Sequence, residues 1–235
     1  MILSALRVVF AILFTLTFAA IMTLTSLVGR SERAYFALAR LYSRMVLAVC
    51  GIEIVVEGSD RVDFTRNHVL VSNHASMFDI PAVVAGIPAD IRIVYKKELE
   101  RIPVFGWGLH FGPYIAIDRV NRHEAMHSIE NAARKIARGG SVLMFGEGTR
   151  TADGKLQQFK RGPFNLAVKA GVPVVPLTIN GSFNVLQKGS LHIHPGTIRL
   201  VIERPVEPPA SNGKEAELTL RDNVHAAIER NYREQ

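Results

Sequence analysis

The sequence predicts an α/β fold with a mixed, largely parallel central sheet flanked by helices, preceded by an N-terminal helical segment embedded in membrane. Three observations carry this. After Gly51, short apolar runs of strand length alternate with amphipathic stretches of helix length, the pattern of a sheet covered by helices. From Val8 to Val28 there are 21 residues without a charge, and a helix needs about 20 apolar residues to cross the hydrocarbon core of a bilayer. Polar clusters follow four of the predicted strands, at the edge where open α/β sheets bind ligands.

The N-terminal run is longer than the apolar region of a secretory signal, about 7–15 residues, and Arg30 and Arg33 follow it directly, so it reads as a retained anchor. Tyr35 to Cys50 is apolar but carries Arg40 and Arg44. It reads as a helix against the membrane surface or against the first helix, with the arginines reaching the headgroups. Spanning the bilayer and dipping into one leaflet are both compatible with these two segments. The expected division is residues 1–50 as anchoring helices and 51–235 as the folded domain.

Within that domain Val69–Ser72 is a buried strand, followed by a polar turn at Asn73–His74 and a helix from Ser76 or Ile80 to Ala85. Ile91–Tyr95 and Tyr114–Ile117 are further strands. Met126, Ile129, Ala133 and Ile136 recur at 3-4-3 spacing, one face of a helix over His123–Arg138, which Gly139-Gly140 ends. Ser141–Phe145 is a strand, Pro163–Ala170 a short helix, and Val172–Ile179 a strand with two prolines. In Ile198–Ile202, Ile198, Leu200 and Ile202 share one face. Pro205–Gly213 is a loop by its turn residues, and Glu215–Tyr232 a terminal helix with Val224, Ala227 and Ile228 inward.

Composition narrows the function. The net charge is +7, and five arginines (Arg7, Arg30, Arg33, Arg40, Arg44) flank or follow the apolar run. Cations beside a membrane segment mark its cytoplasmic side and attract anionic lipid. Nucleic acid is not an expected partner, because the basic residues are scattered and no aromatic-plus-basic signature or zinc-finger spacing is present. Cys50 is the single cysteine, which excludes an internal disulfide. His123 and His127 lie four apart on one helix, and His192 and His194 alternate along a predicted strand. The first pair has no evident third ligand and the second could face one side of the strand; both read as surface residues, so no metal is expected.

Two clusters hold the chemistry. In Asn73-His74-Ala75-Ser76-Met77-Phe78-Asp79 a histidine follows a strand and a carboxylate comes five positions later. Residues five apart in a helix differ by about 140° around its axis, so His74 and Asp79 meet only if the chain bends between them. If they meet, the carboxylate fixes one imidazole nitrogen and leaves the other to take a proton. Ser76 to Asp79 also fits a capping box that opens a helix, with His74 an ordinary loop residue. Phe145-Gly146-Glu147-Gly148-Thr149-Arg150 ends another apolar strand. Its glycines allow close backbone approach to an anion, Thr149 adds a donor, and Arg150 can grip a phosphate through two bonds. It is not a phosphate-binding loop of the Walker type, because Gly148 to Gly154-Lys155 is one residue too long and Leu156 stands where Ser or Thr is required. Lys96-Lys97-Glu98-Leu99 and Gly112-Pro113-Tyr114-Ile115-Ala116-Ile117-Asp118-Arg119 add a cation at two more strand ends.

The order and spacing of NHASMFD, KKEL, GPYIAIDR, FGEGTR and VPVVPLTI resemble the blocks of the glycerolipid acyltransferase family, of its lysophosphatidic acid acyltransferase type, over Gly51 to Ile179. The resemblance implies a glycerol-3-phosphate acyltransferase-like fold and a defined chemistry. His74, oriented by Asp79, would deprotonate the free hydroxyl of a 1-acyl-glycerol-3-phosphate. That hydroxyl would attack an acyl thioester with no acyl-enzyme intermediate, giving phosphatidic acid. It implies that Arg119 holds the acceptor phosphate, that Glu147, Gly148, Thr149 and Arg150 complete the pocket, and that Lys96 matches a family lysine; Lys160 and Gly162 resemble a further family feature. Acyl-CoA or acyl carrier protein would be the donor substrate, with no cofactor and no metal. The implied partners are the lysophospholipid and anionic membrane lipid, at the cytoplasmic face of the inner membrane. The family usually has Pro where Gly146 stands, a departure that bears on the acceptor and keeps lyso-ornithine lipid in view. A hydrolase using His74 to activate water, and a non-catalytic lipid-binding protein, are the readings from other classes.

Overall fold

The structure, a computed structural model, describes residues 2–29, 31–118, 122–137, 139–209 and 213–234. Seven strands form one sheet: β1 (Ile52–Glu57), β2 (Val69–Ser72), β3 (Ile91–Lys96), β4 (Ile115–Ile117), β5 (Ser141–Phe145), β6 (Val174–Asn180) and β7 (Gly196–Ile202). Their spatial order is β1-β7-β6-β2-β5-β3-β4. The strands from β6 to β4 run parallel to one another, β7 is antiparallel to β6, and β1 runs with β7. The sheet is thus mixed and largely parallel, as the sequence predicts.

The helices are α1 (Ile2–Val28), α2 (Glu32–Cys50), α3 (Asp79–Gly86), α4 (Phe105–Phe111), α5 (Arg122–Ala137), α6 (Gly162–Ala170), α7 (Ser182–Val185) and α8 (Lys214–Asn231). They cover both faces of the sheet, which is why the central strands read as unbroken apolar runs rather than alternating ones. Leu70, Leu143 and Leu177 point to one side, into a core shared with Tyr35, Ala39, Val46 and Leu47 of α2 and with Val83 of α3. Val69, Val71, Val142 and Met144 point to the other, against Ile129 and Ile136 of α5, Leu166 of α6 and Leu220, Val224 and Ile228 of α8. Residues 1–50 therefore do not form a separate body: Met22 and α2 belong to the core of the sheet.

Several expectations are corrected by packing. Arg40 is engaged within the protein: its guanidinium donates to the Ala89 carbonyl at 3.0 Å and lies 3.5 Å from the Asp90 carboxylate. His192 and His194 lie in the loop between α7 and β7, not on a strand; β7 begins only after Pro195, which has no N–H to donate to a ladder. The side chains of His123 and His127 and all of Arg119 fall outside the described residues, as does part of the 205–213 loop.

Three elements were not anticipated: β1, α4 and the four-residue α7. β1 pairs with β7, distant in sequence. α4 contains two glycines, which read against a helix. Both are buried, and a Cβ on Gly106 would lie 2.3 Å from the Glu100 carbonyl oxygen, one on Gly108 3.3 Å from Ala19 of α1. Close contact with neighbouring backbone decides these residues. The Tyr35 hydroxyl, donating to the Gly108 carbonyl at 2.7 Å, adds a bond from α2.

Candidate active site

All five parallel strands end at one edge, and the turns that follow β2 and β5 build the site. β2 ends at Ser72, opposite Phe145 of β5 on one side and Leu177 of β6 on the other. The next residue, Asn73, is buried, and its amide bonds the Ile179 main chain twice: Nδ2 donates to the carbonyl and Oδ1 accepts from the N–H, both at 2.8 Å. This clamps the chain where it leaves the strand and sets the bend that brings His74 and Asp79 together.

His74 Nδ1 lies 2.7 Å from Asp79 Oδ2. The same oxygen accepts the N–H groups of Ala75 at 2.8 Å and Ser76 at 2.9 Å. Asp79 is fully buried at the first residue of α3. Three nitrogens thus converge on one carboxylate oxygen at the start of α3. In the tautomer that donates from Nδ1 to this carboxylate, Nε2 is the ring's acceptor. The capping-box expectation is realised in half. Asp79 reaches back to the Ser76 N–H, while the Ser76 hydroxyl accepts the Phe78 N–H at 3.3 Å and donates to the Leu186 carbonyl at 2.8 Å. The same carboxylate therefore shapes the turn and orients the imidazole.

Phe145, the last residue of β5, stacks on the His74 ring with centroids 3.7 Å apart and planes 10° from parallel. The two turns are sewn together by main-chain bonds: Gly146 N–H donates to Ser72 O and Thr151 N–H to His74 O, each at 2.8 Å. Glu147 was expected to line the substrate pocket; it turns inward instead. Only 4% of it is exposed, and its Oε1 accepts the His74 N–H at 3.1 Å. Burial, reinforced by the nearby Asp79 and Asp153 charges, pushes its carboxyl up to about 8, although the His74 N–H bond pulls the other way. At neutral pH Glu147 is therefore mostly a neutral acid that holds the histidine main chain.

Gly148 sits at φ +74°, with the Lys160 side chain lying where its Cβ would point. Thr149 is exposed and Arg150 half-buried. Lys96, at the end of β3, is exposed and 3.3 Å from Glu98. Lys96 and the Gly146–Arg150 turn thus share the edge that carries His74. Sequence reasoning assigned no role to Phe145 or Asn73 beyond the motifs that contain them. The register of β2 against β5 and β6 is the signal that places both.

Fold and site define an α/β protein with a histidine–carboxylate pair and several cations at one edge of its sheet. A family model described as Acyltransferase matches residues 53–180, and the chain belongs to that family. It is 34% identical over 139 residues to a chloroplastic 1-acyl-sn-glycerol-3-phosphate acyltransferase of Brassica napus, covering 59% of this chain and 40% of that protein. With a 1-acyl-sn-glycerol-3-phosphate acyltransferase of Cocos nucifera it shares 32% over 166 residues, 70% of this chain and 53% of the other. The chain thus spans about half or less of these curated relatives' length. The crystal structure of the 1-acyl-sn-glycerophosphate acyltransferase PlsC from Thermotoga maritima superposes with a TM-score of 0.80 at 26% identity, covering 97% of this chain and 95% of that one.

Proposed function

We propose that the chain moves a fatty acyl group from an acyl thioester to the free hydroxyl of 1-acyl-glycerol-3-phosphate, giving phosphatidic acid. The observation that carries this is the His74–Asp79 pair, 2.7 Å apart with Nε2 left as acceptor. A neutral alcohol is a poor nucleophile and needs a base. Nε2 takes the hydroxyl proton as the oxygen attacks the thioester carbonyl; the tetrahedral intermediate collapses, the C–S bond breaks, and the imidazolium returns its proton to the departing thiolate. The buried Asp79 stabilises the imidazolium in between. Arg150, and Arg119 outside the described residues, hold the acceptor phosphate, with Lys96 on the same edge. The donor is acyl-CoA or acyl carrier protein. A thioester is already activated, so the reaction draws on the protein's own groups and on no cofactor.

The acceptor is a lipid, and α1 supplies an apolar surface: Leu6–Val28 is long and apolar enough to cross a membrane. What supports a seat in one leaflet is that α1 touches the domain along its length. The Ile193 N–H donates to Ser4 Oγ at 2.9 Å near one end, and Ala19 meets Gly108 further on. These points are about 22 Å apart along the helix, so a spanning α1 would pull the domain into hydrocarbon. The outward residues Leu6, Val9, Phe10, Ile12, Leu13, Leu24 and Leu27 are exposed. We place this face in the inner membrane with the catalytic edge on the cytoplasmic side, where the flanking arginines meet anionic lipid.

The test is transfer from a labelled acyl thioester to lysophosphatidic acid and, separately, to lyso-ornithine lipid, with His74→Ala beside the wild type. Product from lysophosphatidic acid, abolished in the variant, is the expected result. Transfer to lyso-ornithine lipid alone overturns the phosphate pocket, and activity that survives in His74→Ala overturns the base.

A further inference from the structure

The His74 imidazole is gripped at its edge and through its main chain, and its face is held separately. Asp79 bonds Nδ1. Glu147 accepts the main-chain N–H, and the main-chain carbonyl accepts from Thr151. The face of the ring lies on Phe145, with centroids 3.7 Å apart and planes 10° from parallel. The sheet imposes this contact. Phe145 stands opposite Ser72 in the β2–β5 register and packs against the cluster that contains Leu143 and Leu177, so the strand decides where its ring stands.

That arrangement is a poor one for two neutral rings, which prefer offset or edge-to-face contacts with centroids about 4.5–7 Å apart because both faces are electron-rich. Phe64–His68, His110–Phe111 and Phe159–His225 follow this preference, with centroids 4.8–6.5 Å and planes 69–87° apart. At His74 the centroid separation is itself a carbon–carbon contact distance, so the imidazole lies almost squarely over Phe145. A square stack becomes favourable when one ring is a cation, because the electron-rich face attracts it, most strongly where water is excluded. The His74 side chain is only 16% exposed. Of the charged groups around it, Asp79 favours a positive ring, Glu147 is mostly neutral, and Lys96 and Arg150 on the same edge oppose it.

Only interactions that strengthen as the transition state forms accelerate a reaction. The imidazole is neutral when it meets the acceptor hydroxyl and positive once it holds the proton, so a contact that favours the cation acts where charge develops. We propose that Phe145 is a positioning residue that stabilises the His74 imidazolium through the face of its ring, while the proton passes from the acceptor hydroxyl to the departing thiolate. Asp79 acts on the edge of the imidazole and Phe145 on its face. This rests on the acyltransferase reading above.

The experiment places mono-, di- and trifluorinated phenylalanine at residue 145 by suppression of an engineered stop codon. Each fluorine draws electron density from the ring face and leaves the shape of the ring nearly unaltered. With acyl-CoA and lysophosphatidic acid, kcat is expected to fall stepwise, by about 10-fold from phenylalanine to the trifluorinated ring, the scale of a lost, desolvated cation–π contact. The KM for lysophosphatidic acid and the melting temperature stay where they were. Phe145→Leu, which has no π face, loses at least as much. In parallel, proton NMR of the His74 ring at a fixed pH of about 6.5, where free histidine titrates, reads the fraction present as imidazolium, which falls with each fluorine. A kcat that ignores fluorine in an active enzyme overturns the proposal. So does a KM that rises while kcat holds, which would make Phe145 a substrate contact. A wild-type protein that transfers to no acceptor overturns the acyltransferase reading instead. The imidazolium fraction then still decides the stack, since a fraction insensitive to fluorine overturns it.

Discussion

The ring of Phe159 occupies the space in which a side chain at residue 146 would begin: a Cβ on Gly146 would lie 2.6 Å from Phe159 Cγ and within 2.8 Å of two further ring carbons. The Gly146 N–H also donates to the Ser72 carbonyl, a bond that proline cannot make. Glycine, in place of the family's usual proline, is thus matched to its surroundings. Gly146→Ala is expected to destabilise the protein by about 1–3 kcal/mol, the range for overpacking. Gly146→Ala with Phe159→Leu should recover part of that loss, and Gly146→Pro should be worse than either. Chemical denaturation of wild type, Gly146→Ala, Phe159→Leu and the double variant reads the coupling, and simple additivity in the double variant would refute the steric account.

Asp79→Asn keeps the shape of the side chain but replaces a charged acceptor of three donors with an amide that accepts on one side only. The imidazole loses its fixed tautomer. The expected loss in kcat is about 10³–10⁴-fold, the scale for this change in a Ser-His-Asp triad, with a smaller loss of stability of about 1–3 kcal/mol. Steady-state kinetics beside a melting curve separates the two. A variant that keeps a tenth of wild-type turnover would show that Asp79 has only a structural role.

Glu147 makes stability depend on pH. Its carboxyl is raised from 4.5 to about 8 in the folded protein, so the native state holds a proton that the unfolded chain releases. The stability gained from this proton is complete below about pH 4.5 and is lost as pH rises towards 8, at up to about 1.4 kcal/mol per pH unit. Glu147→Gln mimics the protonated side chain and should flatten that slope. Unfolding free energies of the two proteins between pH 5 and pH 9 provide the check, and parallel curves would rule the mechanism out.

Trp107 and Phe111 of α4 are 52% and 46% exposed, on a helix that packs against α1. With Ile102 they extend the apolar face of the N-terminal helix, and tryptophan favours the membrane–water interface. Replacing Trp107 and Phe111 together by Ser should weaken sedimentation with anionic vesicles by about 10-fold or more, since each half-buried aromatic contributes on the order of 1 kcal/mol. Far-ultraviolet circular dichroism should stay the same. Unaltered vesicle binding would leave α1 and α2 as the whole membrane surface.

What the sequence determined by itself was whatever depends on neighbours along the chain. The central strands β2 and β5 were legible because both faces of the sheet are covered, so Val69–Ser72 and Ser141–Phe145 are apolar without interruption. The inward face of α8 followed from its spacing, and the His74–Asp79 pair from five residues and a required bend. Only the tertiary structure decided the rest, because it depends on contacts between distant segments. β1 has its partner more than a hundred residues away in β7. The glycines of α4 look unfavourable until Glu100 and Ala19 are seen against them. The partners of Arg40, Ala89 and Asp90, come from a distant segment. Glu147 looked like a pocket residue until burial made it a neutral support for His74. The stacking of Phe145 on His74 rests on two strands that meet at one edge of the sheet, and local periodicity carries no information about such a meeting.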